Sequence, residues 1–242
     1  MDWSDSGLVL GARKHGETSV ILEAMTQAHG RHLGVVRGGR SRAMQAALQP
    51  GNRVVLVWRA RLEDHLGVYT VEPDALRAGR LIDSPLALHG LHWMGALMRL
   101  LPERDPHQDV YAMADALAER LDDSRLAPEL MVRFELAVLA ELGFGLDLDR
   151  CAATGARDDL VYVSPKSGRA VARAAGEPWR DRLLPLPAFL RGPAARVGIS
   201  KDDISAAFRL TGHFLLRDLF EPRGAQDPAS REAFVRAALA GL

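Results

Sequence analysis

The sequence predicts an α+β protein, in which a small N-terminal β-barrel is followed by an α-helical domain that carries a small insertion. Three observations support this fold class. Before Pro85, apolar and β-branched runs of about six to ten residues are separated by glycine and polar turns, which is typical of short strands. Beyond Pro85, apolar residues recur at helical spacing. Within residues 147–187, Gly, Pro and turn residues interrupt the helical pattern.

Five runs before Pro85 are predicted to be strands, at residues 7–13, 19–25, 32–36, 53–61 and 66–72. Residues 41–49 favour a helix that Ser41 caps. Five strands with a short helix between the third and the fourth are the outline of an OB-fold, a barrel that binds oligonucleotides, although SH3-like barrels have similar spacing. Val54, Leu56 and Trp58 share one strand face, so we interpret Trp58 as core; a stacking platform for bases is the alternative.

Five amphipathic segments predict the helices of the second part, and their apolar stripes are interpreted as core. Capping residues or prolines mark their starts, at Ser84-Pro85, Asp105-Pro106, Pro128, Ser200 with Asp203, and Asp227-Pro228. We therefore predict an OB-fold domain at residues 1–80, an α-helical domain at residues 81–146 and 188–242, and the insertion at residues 147–187, with a short hairpin around residues 160–171.

One stretch of the chain, residues 31–62, is rich in arginine and contains neither Asp nor Glu. The whole chain balances 31 Lys+Arg against 31 Asp+Glu, so this segregation is local. Unopposed guanidinium groups attract and grip phosphate, which predicts a nucleic-acid surface. The alternative is a solvated basic face whose acidic partners come from elsewhere in the fold. The predicted DNA-binding residues, including two that extend the track, are Arg13, Lys14, Arg31, Arg37, Arg40, Arg42, Arg53, Arg59 and Arg61.

Composition and motifs exclude several function classes. No apolar run approaches the roughly 20 residues of a membrane-spanning helix, and the acidic N-terminus does not resemble a secretion signal. A single cysteine, Cys151, favours a reducing, cytoplasmic setting. His89 and His92 have metal-compatible spacing but lack further ligands, so no metal and no cofactor are expected. No nucleotide-binding, hydrolase or metalloprotease motif is present, so we do not expect an enzyme.

A resemblance to a known family sharpens this interpretation. The succession G-R-x-L-G-V-V-R-G-G-R-S, then A-x-L-Q-P-G, then a strand ending at residues 59–62 resembles the N-terminal domain of the RecO family of recombination mediators. The resemblance implies a DNA-repair protein that binds single- and double-stranded DNA without sequence preference and anneals complementary strands. It also implies partners: RecR, the C-terminal tail of single-stranded-DNA-binding protein, and indirectly RecA, which is loaded onto the coated strands.

The same resemblance gives two later segments a meaning. Arg133 and Phe134 lie in a segment similar to the one where the family docks the acidic, apolar tail of single-stranded-DNA-binding protein; the alternative for Arg133 is a solvent-facing side chain. Many RecO-like proteins carry a four-cysteine zinc site in the insertion. Here only Cys151 remains of the four ligands, because the other three positions are occupied by Thr154, Val171 and Ala174. We interpret Cys151 as a vestigial, partly buried and inert thiol. The zinc-ribbon-like hairpin must therefore be held by packing, and the expected contributors are Val161, Tyr162, Val163 and Trp179.

Two rival functions remain open at this point. The barrel could belong to a protein–protein adaptor that binds a peptide or a subunit without direct DNA binding. A cryptic hydrolase or nuclease is the third hypothesis, because catalytic groups converge in space and not in sequence. Adjacent acidic residues at 158–159 and 202–203 are better explained by turn chemistry and by a helix start.

Overall fold

The computed structural model describes residues 1–191, 198–224 and 229–242. The chain divides into two compact units, Met1–Asp123 and Ser124–Leu242. The first unit contains a five-stranded sheet and four α-helices, and the second contains helices and a small three-stranded sheet. The protein is therefore α+β. The domain boundaries that we predicted from the sequence stay predictions, and the unit that contains the five-stranded sheet extends through Asp123.

The five strands of the first unit form a barrel that closes in the order β1-β2-β3-β5-β4. Neighbouring strands are antiparallel except β3 and β5, which are parallel. The strands are β1 (Asp2–His15), β2 (Ser19–Thr26), β3 (Gly30–Val36), β4 (Arg53–Arg59) and β5 (Val68–Ala75). All five runs predicted from the sequence are strands. The long β1 starts earlier than predicted, because residues 2–6 pair with β4.

Alternation along the strands builds the barrel core. Val54, Leu56 and Trp58 in β4 are almost fully buried, which confirms the predicted inward face and the core position of Trp58. The short helix α1 (Arg42–Ala47) lies between β3 and β4, and the Ser41 side chain caps it as predicted by accepting a hydrogen bond from the Met44 N–H. Leu48, directly after α1, is part of the same core.

Three helices complete the first unit: α2 (Ala78–Leu81), α3 (Pro85–Met98) and α4 (Gln108–Arg120). Ser84 caps α3, as its sequence predicts. The buried Asn52 joins three elements, because its amide nitrogen donates to the carbonyls of Ala46 and Ala47 and its oxygen accepts from the backbone of Arg77 and Ala78. These bonds fix the start of β4 against α1 and α2, so they hold this part of the arginine-rich stretch in place.

The second unit is built around the helices α5 (Ala127–Glu141), α7 (Lys201–Phe214) and α8 (Ala229–Gly241). The predicted capping box of Ser200 and Asp203 is present, and a π-helical turn at Leu215–Phe220 follows α7. The predicted helix start at Asp227-Pro228 lies outside the described residues. Inside the unit, the fully buried Glu135 of α5 binds the Arg231 guanidinium of α8, with Oε1 and Nε 2.9 Å apart.

The predicted hairpin of the insertion is present as β6 (Leu160–Val163) and β7 (Ala170–Ala172), and β8 (Leu184–Pro185) extends it to a three-stranded sheet. The short α6 (Arg173–Gly176) follows β7. Val163 is buried in this region, but the expectation that Trp179 packs there was wrong, because its side chain is exposed. The Arg182 guanidinium lies 5.8 Å from the centroid of the Trp179 ring. In the part of the chain that is described, no helix is long and apolar enough to cross a membrane.

Candidate nucleic-acid interface

Five of the nine predicted DNA-binding residues lie together at one end of the barrel. Lys14 at the end of β1 pairs with Val20 of β2, and Val20 pairs with Val36, the last residue of β3. The chain then turns so that the Arg40 backbone N–H donates to the carbonyl of Thr18, 3.0 Å away. The end of β1 and the turn after β3 are thus brought side by side. We call these residues the barrel-end cluster: Arg13, Lys14, Arg37, Arg40 and Arg42.

The barrel-end cluster is exposed and has little opposing charge. All five side chains are exposed, and none has a carboxylate within ion-pair distance among residues 1–191, 198–224 and 229–242. Two shallow cavities of about 280 and 430 Å³ meet at Arg40. Gln45 and Gln49 line the first cavity, and Thr18 and Ser41 line the second, so neutral polar groups surround the cations. Glu17 is the one acidic residue in the lining.

Arg31 and Arg53 are engaged in ion pairs. Arg31 contacts Glu23 at 3.0 Å and Glu103 at 3.1 Å. Arg53 contacts Asp74 at 2.5 Å and Asp115 of α4 at 2.7 Å. Hydrogen bonds, first to Asp74 and then to Asp115, raise the pKa of Arg53. These two residues therefore have the acidic partners that the alternative interpretation of the basic stretch expects.

Arg59 and Arg61 lie at the opposite end of the barrel from the barrel-end cluster. Arg59 pairs with Asp2, the first residue of β1, whereas Arg13 and Lys14 are near its last residue. Both arginines are exposed. The nine predicted residues therefore occupy three places: five in the barrel-end cluster, two in ion pairs on the wall, and two at the far end. Their predicted role in DNA binding stays a prediction.

Sequence reasoning missed an aromatic stack beside Arg59. The ring of Trp3 stacks on His29, with centroids 4.0 Å apart and planes 7° apart, and it also stacks on Trp58 at 5.7 Å and 18°. Asp5 orients His29 through a contact of 2.9 Å to Nδ1. Trp3 was recognisable as one of few aromatic residues near the basic stretch. No sequence signal marks His29, which lies in the turn between β2 and β3.

Burial shifts the pKa values of His32 and Tyr69, two residues that contact the Trp3 ring edge-on. The pKa of His32 is lowered from 6.5 to about 4 by burial and then by the nearby Arg104, so its imidazole is neutral near pH 7. Burial also raises the pKa of Tyr69. The Tyr69 hydroxyl and the His32 Nδ1 are hydrogen-bonded at 3.0 Å. This pair is therefore a neutral polar element inside the barrel and not a charged one.

In the second unit, the two predicted partner-binding residues differ in exposure. Phe134 is fully buried, so it holds a core position and offers no surface of its own. The Arg133 side chain is 22% exposed and donates to Glu129 Oε1 at 2.9 Å and to the Phe189 carbonyl at 2.8 Å. Arg133 is thus already held by two acceptors. The partner-binding role of both residues stays a prediction.

The insertion places Cys151 beside the hairpin but does not assemble a zinc site. The Ala172 N–H donates to the Cys151 Sγ at 3.2 Å. Burial acts to raise the pKa of this thiol, but hydrogen bonds from Ala172 and Thr154 outweigh it and lower the pKa to about 7. Tetrahedral zinc needs four nitrogen or sulfur ligands, and Thr154, Val171 and Ala174 supply none. The residues present therefore do not fit the metal. Within the described ranges, no group of three or more potential ligands comes together.

Comparisons with known proteins cover most of the chain. The family profile described as Recombination protein O N terminal matches residues 1–73, and that described as Recombination protein O C terminal matches residues 85–227. Curated proteins named DNA repair protein RecO are similar along almost their whole length. The protein from Methylobacterium nodulans is 62% identical over 238 residues, 97% of each chain. That from Rhizobium etli is 58% identical over 242 residues, covering 100% of this chain and 94% of the relative. The chain therefore belongs to the RecO family.

Proposed function

We propose that this protein is a recombination mediator in DNA repair. It binds single- and double-stranded DNA without sequence preference and anneals complementary strands. Together with RecR it helps load RecA onto strands coated by single-stranded-DNA-binding protein. The curated relatives carry the name DNA repair protein, which supports the cellular role. This activity requires no chemistry on the bound strand, so we also propose that the protein is not an enzyme and that it acts in the cytoplasm, where the DNA is.

The observation that carries this proposal is the barrel-end cluster. Five exposed cations without a carboxylate partner in the described chain lie around two shallow polar cavities. Such a surface neutralises backbone phosphates and releases counterions, which gives affinity that depends on salt and little on sequence. The strand order, with a helix between β3 and β4, supports an OB-fold, and OB-folds bind strands of about 4–16 nucleotides.

Fewer observations support the predicted contact with the acidic tail of single-stranded-DNA-binding protein. An acidic peptide tail needs a cation for its carboxylates, and the Arg133 side chain is 22% exposed while Glu129 and the Phe189 carbonyl hold it in place. Phe134, the next residue, is fully buried, so the proposal assigns it a structural contribution to this site. Titration of a labelled acidic tail peptide against the wild type and Arg133→Ala tests the contact. Equal affinity of the two proteins for the peptide would remove Arg133 from the proposal.

Removal of the cluster's charge tests the DNA-binding proposal. In the variant Arg37→Ala/Arg40→Ala/Arg42→Ala, we expect the affinity for a labelled single strand to fall on the order of 10²-fold at about 50 mM salt. The log–log salt slope should become shallower by about 2, because each phosphate contact on a single strand contributes about 0.7. Fluorescence anisotropy measures both quantities. Circular dichroism and thermal unfolding establish that the variant is folded.

A matched control separates local from general charge effects. The variant Arg157→Ala/Arg173→Ala/Arg180→Ala removes the same charge from exposed positions of the insertion. We expect it to keep the wild-type salt slope. Equal losses in both variants would show that the barrel-end cluster has no special role. Strand annealing, followed by fluorescence transfer between labelled complementary strands, should decline only in the first variant.

The adaptor remains the rival function, and one observation favours it. Arg31 and Arg53, two arginines of the basic stretch, are bound by carboxylates and offer less charge for phosphate. An adaptor would bind labelled strands weakly at both low and high salt. A nuclease or hydrolase would instead degrade labelled DNA in the presence of Mg²⁺. We expect the strand to stay intact.

A further inference from the structure

A cavity at the far end of the barrel has no role in the phosphate-binding proposal. Its volume is about 410 Å³, and it opens beside the start of β1. Four of its ten lining residues carry aromatic rings, namely Trp3, His29, His32 and Trp58. Pockets that combine aromatic walls with a few polar groups are typical of small planar ligands. The remaining lining residues are Met1, Asp2, Ala28, Glu63, Arg104 and Pro106.

The aromatic wall of this cavity is ordered by its own contacts. His29, Trp3 and Trp58 form a continuous stack, in which the Trp3 ring lies between the other two. His29 is the outermost ring, and its side chain is 34% exposed. A further planar group could extend this stack on the face of His29 that Trp3 does not cover. Stacking of a base on an aromatic ring contributes about 1–3 kcal/mol and does not depend on which base is present.

Polar groups at the cavity are arranged around the same stack. His32 is 3% exposed; its Nδ1 is engaged by Tyr69, and its Nε2 has no hydrogen-bond partner within the part of the chain that is described. Arg104, also in the lining, is held by the carbonyls of Asp64 and His65, at 3.3 and 2.9 Å. The neutral imidazole of His32 can therefore form a hydrogen bond with a ligand in the cavity, and the Arg104 guanidinium supplies a positive charge in the same lining.

The two arginines at the far end lie next to the same cavity. Arg59 is the pairing partner of Asp2, and the Met1 amino group donates to the carbonyl of Ala60 at 2.8 Å, so Arg61 follows directly. A ligand that places a planar ring in the cavity and a negative group near these arginines has the chemistry of a nucleotide. The carboxylates of Asp2 and Glu63 in the lining repel a phosphate but accept hydrogen bonds from base amino groups.

We propose that this cavity receives an unstacked base of a bound single strand, with the base against His29 and the flanking phosphates at Arg59 and Arg61. This inference rests on the proposed DNA-binding function and adds a second contact of different kind. The barrel-end cluster grips phosphates, whereas the far cavity takes the base itself. A single strand can present such a base, but a base in a duplex is stacked and paired, so the cavity favours single strands.

Photo-cross-linking locates the base directly. A short strand of thymidines with one 5-iododeoxyuridine is bound to the full-length protein and irradiated, and the linked peptide is identified by mass spectrometry. We expect the link at Trp3 or His29. Links found only at other aromatic residues, such as the exposed Trp179, would overturn the inference and leave DNA binding intact. If the strand does not bind at all in anisotropy measurements, the proposed function fails first.

A pair of neighbouring substitutions tests the cavity without removing a ring. Ala28 lines the cavity, whereas Gln27 precedes it in the same turn and does not. We expect Ala28→Leu to lower the cross-linking yield at Trp3 and His29 at least 5-fold, and Gln27→Leu to leave it unchanged. Equal yields in both variants would contradict the inference. Both proteins should keep the wild-type log–log salt slope within about 0.7, one phosphate contact, because the barrel-end cluster is untouched.

Abasic strands provide an independent measurement. A strand in which the thymines are replaced by abasic residues keeps every phosphate but offers no base. We expect the wild type to bind it about 5-fold or more weakly than the normal strand, and Ala28→Leu to distinguish the two less. Identical affinity of the wild type for both strands would overturn the inference.

Discussion

The arginines of one short stretch have two different fates. Arg37, Arg40 and Arg42 extend into solvent at the barrel end, whereas Arg31 and Arg53, on strands of the same barrel, are bound by carboxylates. All five come from the same acid-free segment. The comparison teaches that a run of positive residues in sequence is not a patch of free charge. Only the fold decides which guanidinium groups keep their charge available for a ligand.

Each of the two ion-paired arginines has one carboxylate partner on a neighbouring strand, Glu23 on β2 or Asp74 on β5, and a second from a distant part of the chain. Asp115 of α4 is 62 residues from Arg53, and Glu103 is 72 residues from Arg31. Each carboxylate lies on a segment that packs against the barrel wall. Among the described residues, no helix brings a carboxylate to the barrel end. The cations of the barrel-end cluster therefore stay unopposed. His32 represents a third outcome, in which burial removes the charge altogether.

The largest effect expected for a structural cation is at Arg231. This residue and Glu135 form an ion pair with side chains 9% and 0% exposed. Arg231→Met leaves Glu135 buried without its strongest partner, so we expect the free energy of unfolding to fall by about 3–5 kcal/mol. Urea unfolding measures this loss. The exposed Arg209→Met is the control and should change stability by less than about 0.5 kcal/mol. If Arg231→Met and Arg209→Met both change the free energy of unfolding by a similarly small amount, Arg231 behaves as a surface cation and the prediction is wrong.

Acid should destabilise the barrel through His32. Its pKa in the folded protein is about 4, below the ordinary value of 6.5, so the unfolded chain binds the proton more tightly. Stability therefore falls as the pH drops through 6.5 and reaches its full loss below about 4. The expected contribution is on the order of 3 kcal/mol. His32→Gln should flatten this part of the urea-midpoint profile, and the exposed His65→Gln should not. Parallel profiles for wild type and His32→Gln would contradict the assignment.

Arg53 and Arg59, two arginines on the same strand, offer a direct comparison. Arg53→Met removes contacts to Asp74 and Asp115 that are partly exposed, so we expect a loss of about 1–2 kcal/mol in unfolding free energy. DNA affinity at low salt should stay within 2-fold. Arg59→Met should do the reverse, with little change in stability and a shallower salt slope. If Arg53→Met weakens DNA binding as much as Arg59→Met does, the distinction between paired and free arginines is wrong.

The smallest effect is expected at the start of α1. The Ser41 hydroxyl accepts from the Met44 N–H over a long 3.4 Å, and Arg42 is the first residue of the helix. Ser41→Ala should cost about 0.5 kcal/mol in thermal or urea unfolding, at the low end for a cap. Affinity for a single strand should change less than 3-fold, because the arginines keep their charge. A larger loss of affinity would mean that the cap positions Arg42 for phosphate.

The strands and helix starts were predictable because their causes are local. A few neighbouring residues determine the alternation in β4 and the helix caps at Ser41 and Ser84. The earlier start of β1 was not predictable, because the pairing of residues 2–6 with β4 depends on the closed barrel. Trp179 was misplaced for a similar reason: an aromatic residue in a small insertion suggests a core, but this side chain is 57% exposed.

The candidate site was predictable in composition and not in geometry. The acid-free stretch contains Arg37, Arg40 and Arg42 of the barrel end, whose role in DNA binding stays a prediction. No sequence rule separates them from Arg31 or Arg53, each of which has one partner more than 60 residues along the chain. The aromatic cavity was missed because Trp3, His29 and Trp58 come from three different strands or turns. Each residue alone is ordinary, and only the barrel brings their rings together.

The length of β1 sets a distance that any bound strand has to cover. From Asp2 at the far cavity to Arg13 at the barrel end there are eleven steps, or at most about 37 Å for an extended chain. A base-stacked strand advances about 3.4 Å per nucleotide, so it needs about eleven nucleotides to reach from one end to the other, and fewer when it is stretched. Shorter oligonucleotides can occupy only one end at a time. Affinity plotted against oligonucleotide length should therefore rise in a step and not gradually.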